Sequence, residues 1–183
     1  GTHADISALK RAQTELRIQR DLIIKLSSTS HLQEALDCVM DEVLQIPELD
    51  CGGIYLVDPA TRAVELAVHR GLQPRTVERL ARLDADTAEA RCVREGRPIY
   101  GRYSEIRFRD DPALEAEGLR ATAVVPIHHQ GQPLAALNLA SHTADEIPAS
   151  VQALLEVIAT NIGGTLSRLH TELALEESRS DLQ

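Results

Sequence analysis

The spacing of aliphatic positions along the chain changes character three times. Over residues 4–26, Leu9, Leu16 and Ile23 recur every seven residues, with Ala12, Gln19 and Leu26 in the companion positions. A narrow seam with charged flanks predicts a coiled-coil-like helix. Such a helix is marginal alone and needs a partner along its seam. The SSTS stretch at 27–30 interrupts it, and Ser30 with Gln33 three residues on has capping-box spacing. A second helix follows, with Leu32, Leu36, Val39, Met40, Val43 and Leu44 on one face, ended by Pro47.

From residue 51 the period shortens. CGGIYLVD and AVELAVHRG, separated by DPATR, predict a β-hairpin. PRTVERLARL predicts a helix with Pro74 near its first turn, and ADTAEARCVREG predicts another, stopped by Gly96. RPIYG reads as a short strand. RYSEIRFRDDPALEAEG reads as a long irregular segment with a short helix from Asp111. LRATAVVPIHH and QPLAALNLAS, joined by QG, predict a second hairpin. Both are almost continuously apolar, which predicts a sheet covered on both faces.

The third change comes at the end. Leu155, Ile158, Ile162, Leu166, Leu169 and Leu173 step by three and four inside a helix predicted from Ile147 to Asp181. Its first part is expected on the sheet. Its last part, LHTELALEESRSDLQ, outruns any core and predicts a second coiled-coil stem. Three parts result: an N-terminal linker helix over 1–27, a body over 28–170 and a C-terminal linker helix over 171–183. The predicted class is α+β, an antiparallel sheet with helices on both faces and a long helix at each end.

The ordered set EGRPIYG, DDP, GLRATAVVPI and GQPLAALNLAS resembles the GAF family of small-molecule sensor and dimerisation domains, in register from Leu32 to about Leu169. The resemblance implies a six-stranded antiparallel sheet. One face would carry the terminal helices. The other would carry middle helices and long loops that enclose a pocket. It does not imply a particular ligand. Cyclic-nucleotide-binding members carry an Asn-Lys…Phe…Asp-Glu signature, but Asn138 is not followed by Lys and the single Phe is Phe108. Bilin-binding members attach the pigment at a Cys usually followed by His, but Val93 follows Cys92. Neither cofactor is expected; the ligand is unknown, and a ligandless dimerisation and relay module is the alternative reading.

The ends carry a second resemblance. DISALKRAQTEL is similar to the end of a PAS sensor domain, and LALEESRSDL to the linker before the next one. With Gly rather than Met at residue 1, this implies an internal piece of a cytoplasmic bacterial signalling protein. Its output would be a histidine kinase, diguanylate cyclase or phosphodiesterase.

Composition narrows the function classes. Aromatic residues are 2% of the 183, so base-stacking platforms and aromatic cages are not expected. The net charge is −9 overall, but +2 over residues 1–26 and −3 over the last 13. The acidic body argues against nucleic-acid binding. No apolar run is long enough to span a membrane, so no membrane contact is expected.

The three cysteines, Cys38, Cys51 and Cys92, form no CxxC pair and read as free thiols in a reducing compartment. Some GAF relatives are free-methionine-sulfoxide reductases, but the cysteine spacing here does not match a catalytic pair, so no enzyme is expected. His128 and His129 are neighbours on one strand and face opposite ways. With His69 elsewhere, no metal-ligand spacing is present and no metal is predicted.

The predicted pocket residues are Tyr55, Cys92, Tyr100, Tyr103, Arg107, His128 and Asn138. Asn138 interrupts the apolar AALNLA, so its amide must find partners. Arg107 and Arg109 are either exposed loop charge or partners for an anion. Gly163-Gly164, inside the last helix, predict either close packing on the sheet or a hinge. The expected partner is a second copy of the chain, joined along Leu9, Leu16, Ile23 and Leu26 of the first helix and Leu166, Leu169 and Leu173 of the last.

Overall fold

A computed structural model describes residues 2–106 and 110–182. Helix α1 (Thr2–Ser27) and helix α2 (Leu32–Val43) lead into strands β1 (Cys51–Val57) and β2 (Val64–Arg70). Helix α3 (Pro74–Leu80), strand β3 (Arg82–Leu83), helix α4 (Ala88–Glu95), strand β4 (Ile99–Arg102) and the short helices α5 (Tyr103–Ile106) and α6 (Pro112–Glu117) follow. Strands β5 (Ala121–His129) and β6 (Gln132–Ser141) precede helix α7 (Ala149–Asp181). The six strands form one antiparallel sheet in the order β3-β2-β1-β6-β5-β4.

Local chemistry explains most boundaries. Pro74 and Pro112 sit in the first turns of α3 and α6. Thr87 and Asp111 cap α4 and α6 through their side-chain oxygens, while Gly96 and Gly118 close them in the left-handed conformation. Two predicted details change. The N-cap of α2 is His31 rather than Ser30, and its side chain makes no capping bond; Ser30 instead bonds the His31 ring. The helix predicted over PRTVERLARL stops at Leu80, and Arg82 and Leu83 pair with Glu65 and Val64 as the sixth strand. Two residues are too short a run to show a period.

The alternation of β1, β5 and β6 sorts their side chains onto two faces. Ile54, Ala123, Val125, Ile127, Ala135, Leu137 and Leu139 join Leu36, Val39, Met40 and Val43 of α2 and Leu155, Ile158 and Ile162 of α7 in the main core. Tyr55, Val57, Val64 and Ala136 join Leu83, Ala90 and Val93 in a smaller core on the opposite face. Ile18, Leu22 and Leu26 bring the second half of α1 into the main core.

The two long helices run in the same sense. Arg11 of α1 pairs with Glu48, near the sheet end where β1 starts, β6 ends and α7 sets out. Leu22, Ile23 and Leu26 lie beside Ile158, Ile162 and Thr165, half-way along α7. There Gly163 packs on the backbone of His128, at the other sheet end. The exposed start of α1 and the exposed end of α7 (from Thr171 onward) therefore leave the body at opposite ends.

This packing corrects the expected dimer seam. Leu26, Leu166 and Leu169 are buried in the core of a single chain, because the α1 stripe that faces inward is Ile18, Leu22 and Leu26. Leu9, Leu16, Ile23 and Leu173 are exposed. Gly163 is a close-packing position rather than a free hinge: a Cβ there would come within 2.5 Å of the His128 carbonyl oxygen. Among the described residues, no helix is long and apolar enough to cross a membrane.

Candidate functional site

A cavity of about 80 Å³ lies on the sheet face opposite α1, α2 and α7, room for several waters or a small organic molecule. Its floor is Gly53 and Tyr55 of β1, Thr122 and Val124 of β5 and Asn138 of β6. Leu72, Leu80, Leu83, Tyr103, Ile106, Leu114 and Leu119 close it from the connecting segments, and the buried Glu89 of α4 reaches its wall. The site is aliphatic with a few polar groups, the usual make-up of a small-molecule pocket.

Asn138 is its centre. Its backbone lies between Gly53 and Val124, held in the ladders of β1 and β5. Its side-chain Oδ1 is buried and has no hydrogen-bond partner among the described residues. An unmade hydrogen bond at a buried acceptor costs on the order of 1–3 kcal/mol, so the atom is a ready acceptor for a donor on a bound molecule. Tyr55 is otherwise occupied: its hydroxyl donates to the Leu80 carbonyl oxygen at 2.9 Å and ties the start of the roof to the floor.

The structure brings together Tyr55, Tyr103 and Asn138 of the predicted pocket residues, and places three others elsewhere. Tyr100 points to the main core, because alternate residues of β4 face opposite ways; its hydroxyl donates to the Gln152 carbonyl oxygen of α7 at 3.3 Å. Burial raises its pKa, with Glu156 adding to the effect. Cys92 lies on α4 outside the lining, and burial raises its thiol as well. The His128 ring packs over Gly96 at the sheet margin, beyond the bulge between Ile127 and His128. Arg107 and its neighbour Arg109 lie outside the described residues.

Beside the cavity roof is a polar cluster that the linear pattern does not reveal, since its members are up to 92 residues apart. His142, just past β6, places Nδ1 2.7 Å from Asp50 Oδ1 and Nε2 2.9 Å from Glu117 Oε1. The His142 backbone N–H also donates to Asp50, at 3.0 Å. The other Glu117 oxygen accepts from the Gln73 N–H at 3.0 Å and from the Thr76 hydroxyl. Burial works against all three charges. For His142, the bonds to Glu117 and Asp50 outweigh it and hold the imidazole above its ordinary value. For Glu117, donors from Thr76, His142 and Gln73 hold the carboxyl below its ordinary value. The donors on Asp50 do the same. Cys51, also buried, is pushed far up by desolvation and by Asp50. The legible hint was a lone His directly after an apolar strand; nothing in the sequence paired it with Asp50 or Glu117.

Comparison with known proteins identifies the fold. A family model described as the GAF domain matches residues 29–167. A search of curated proteins finds no significant match. Among solved structures, the GAF domain of a phosphoenolpyruvate-protein phosphotransferase from Coxiella burnetii is similar at TM-score 0.77 and 18% identity, over 89% of this chain and 98% of that one. A domain of a putative two-component sensor histidine kinase from Sinorhizobium meliloti matches at 0.66 and 17%, over 81% and 99%. A free methionine-R-sulfoxide reductase from Neisseria meningitidis, in complex with its substrate, matches at 0.66 and 14%, over 85% and 89%. At such identities these structures share the fold alone.

Proposed function

The chain belongs to the GAF domain family, and from that premise we propose that it is a regulatory sensor module. It takes up a small molecule in the Asn138 cavity, pairs with a second copy through its terminal helices, and relays the event to an output domain. The carrying observation is the division of the sheet. The cavity with its unpaired acceptor lies on one face, and the helices that leave the body at opposite ends lie on the other. A change in roof packing can reach α1 and α7 through the sheet that separates them. Long helices paired across a two-fold axis convert small displacements into two discrete arrangements.

The cytoplasmic bacterial setting, the flanking PAS modules and a kinase or cyclic-di-GMP output are part of this proposal, and rest on the terminal segments alone. The likeness to a sulfoxide reductase supplies the competing reading. Against it, none of Cys38, Cys51 and Cys92 lines the cavity, and burial pushes all three thiols up, away from the nucleophilic thiolate.

Native mass spectrometry of the chain tests the proposal, since it reports stoichiometry and bound molecules together. A dimer that carries a small molecule, or gains one from a metabolite extract, is the expected result. A monomer that binds nothing overturns it. Thiol-dependent reduction of free methionine sulfoxide would replace it by the enzymatic reading.

A further inference from the structure

We propose that Asp50, Cys51 and His142 form a binding site for one borderline divalent transition-metal ion, of the zinc or cobalt kind, at the sheet end beside the cavity roof. One ligand atom from each, a carboxylate oxygen, the thiol sulfur and an imidazole nitrogen, lies within 4.8 Å of the other two. They come from the residue before β1, the first residue of β1 and the loop after β6. Small side-chain movements bring such a trio to bonding distance, about 2.0–2.3 Å for zinc with these donors.

Four observations converge on this site. The first is its shape. Cys51 is fully buried and forms the base, whereas the side chains of Asp50 and His142 are 35% and 32% exposed at the rim. The outer side is open to a water as fourth ligand, as in zinc sites with three protein ligands. The second is the donor set. One sulfur, one nitrogen and one oxygen suit zinc, cobalt or their neighbours and disfavour magnesium and calcium, which prefer oxygen alone. The third is orientation. Glu117 accepts from Nε2 of His142, so that nitrogen keeps its proton and Nδ1 is turned toward Asp50. A carboxylate on the far nitrogen of a ligating histidine is the common supporting arrangement at metal sites. Glu117 is itself fixed by Thr76 and the Gln73 N–H.

The fourth is charge. The two carboxylates share His142 as their only cationic partner among the described residues. Two negative groups around one imidazole give the place a net negative charge that attracts a cation; because two protons leave as the ion binds, that net charge is kept rather than cancelled. Binding exchanges the Nδ1 hydrogen bond and the Cys51 S–H for metal bonds, and the two protons leave to solvent. The ion would fasten the start of β1 to the end of β6, and through Glu117 would hold α6 and α3, which roof the cavity.

Titration of the whole, chelator-treated chain with Co²⁺ tests this. The expected result is one equivalent bound, with a near-ultraviolet thiolate-to-cobalt charge-transfer band that Zn²⁺ abolishes by displacement. The band should persist in the Cys38→Ser/Cys92→Ser double variant and vanish in Cys51→Ser and His142→Gln. Asp50→Asn, at the exposed rim, covers the case in which Cys51→Ser fails to fold: it should keep the circular dichroism of the parent and bind at least about tenfold more weakly. Glu117→Gln should weaken binding by about 10–100-fold while the band keeps its shape. No charge-transfer band at stoichiometric Co²⁺ overturns the proposal. So does a band that survives Cys51→Ser, or one lost with Cys38 and Cys92.

Discussion

Gly163 on α7 lies so close to His128 that a methyl group added to it would sit 2.5 Å from the His128 carbonyl oxygen. The next glycine, Gly164, has only ordinary contacts with the His129 ring, at 3.7 and 3.8 Å. The pair therefore predicts opposite signs for one chemical change. Gly163→Ala must push α7 off β5, at an overpacking cost of about 1–3 kcal/mol. Gly164→Ala should stabilise by roughly 0.5–1 kcal/mol, because alanine is the better helix former. Urea denaturation of the two single variants measures this. Equal shifts of the same sign would mean that the close approach of α7 to β5 is absent in solution.

Asn138 gives a second prediction, with a sign that is unusual for a residue on a central strand. Its Oδ1 lacks a partner in an aliphatic cavity, so the amide is a cost in the empty protein. Asn138→Leu, similar in size and without polar atoms, should raise stability by about 1 kcal/mol or more. The same change should abolish uptake of any small molecule that native mass spectrometry finds on the parent chain. A variant that is more stable and no longer binds is the signature of a site strained for function. A variant that is less stable would mean that the amide is satisfied within the protein.

The sheet and its long helices were readable because their signals repeat. Leu36, Val39, Met40 and Val43 keep a helical period over several turns, and β5 and β6 are long apolar runs joined by a turn. The two-residue β3 has no period to detect, and Ser30 looked like a cap although His31 occupies that position. Candidate site residues were harder to read. Asn138 stood out because one polar residue in an apolar strand demands an explanation, and Tyr55 and Tyr103 fell in place with it. Cys92 lies on a face of α4 that does not line the cavity, and the two strand residues, Tyr100 and His128, fall elsewhere for one reason. Which face a residue takes depends on register and bulges, and a one-residue difference exchanges cavity for core. The first helix shows the same limit. Leu9, Leu16 and Ile23 are exposed, yet the neighbouring stripe Ile18, Leu22 and Leu26 is the one that enters the core.

Glu117 yields a third prediction. One carboxylate takes hydrogen bonds from α3, from the residue before it and from His142, so it joins the roof to the sheet end. Glu117→Ala leaves three donors without their acceptor, one of them on the buried Thr76. A loss of about 2–3 kcal/mol is expected. Hydrogen exchange should quicken in residues 73–80 ahead of β5 and β6. Uniform acceleration across the sheet would show that the carboxylate supports the whole core rather than the roof.

The seam on α1 supplies the last prediction. Leu9, Leu16 and Ile23 are 59%, 65% and 54% exposed and lie seven residues apart, whereas Leu22 is 2% exposed. Three large aliphatic side chains in one line on a solvent-facing helix are costly to leave in water, and a second copy of the same stripe would cover them. Replacing Leu9, Leu16 and Ile23 together by Lys puts like charges on both sides of such an interface. It should convert the proposed dimer to monomer in sedimentation analysis, with far-ultraviolet circular dichroism unchanged over the folded body. Leu22→Lys is the internal control. It buries an unpaired charge beneath α7, so it should unfold the domain or lower its stability by several kcal/mol. Loss of the dimer without loss of fold in the triple variant would assign association to the outer stripe. A dimer that survives the triple variant would place the interface elsewhere and leave α1 as a core helix with an exposed edge.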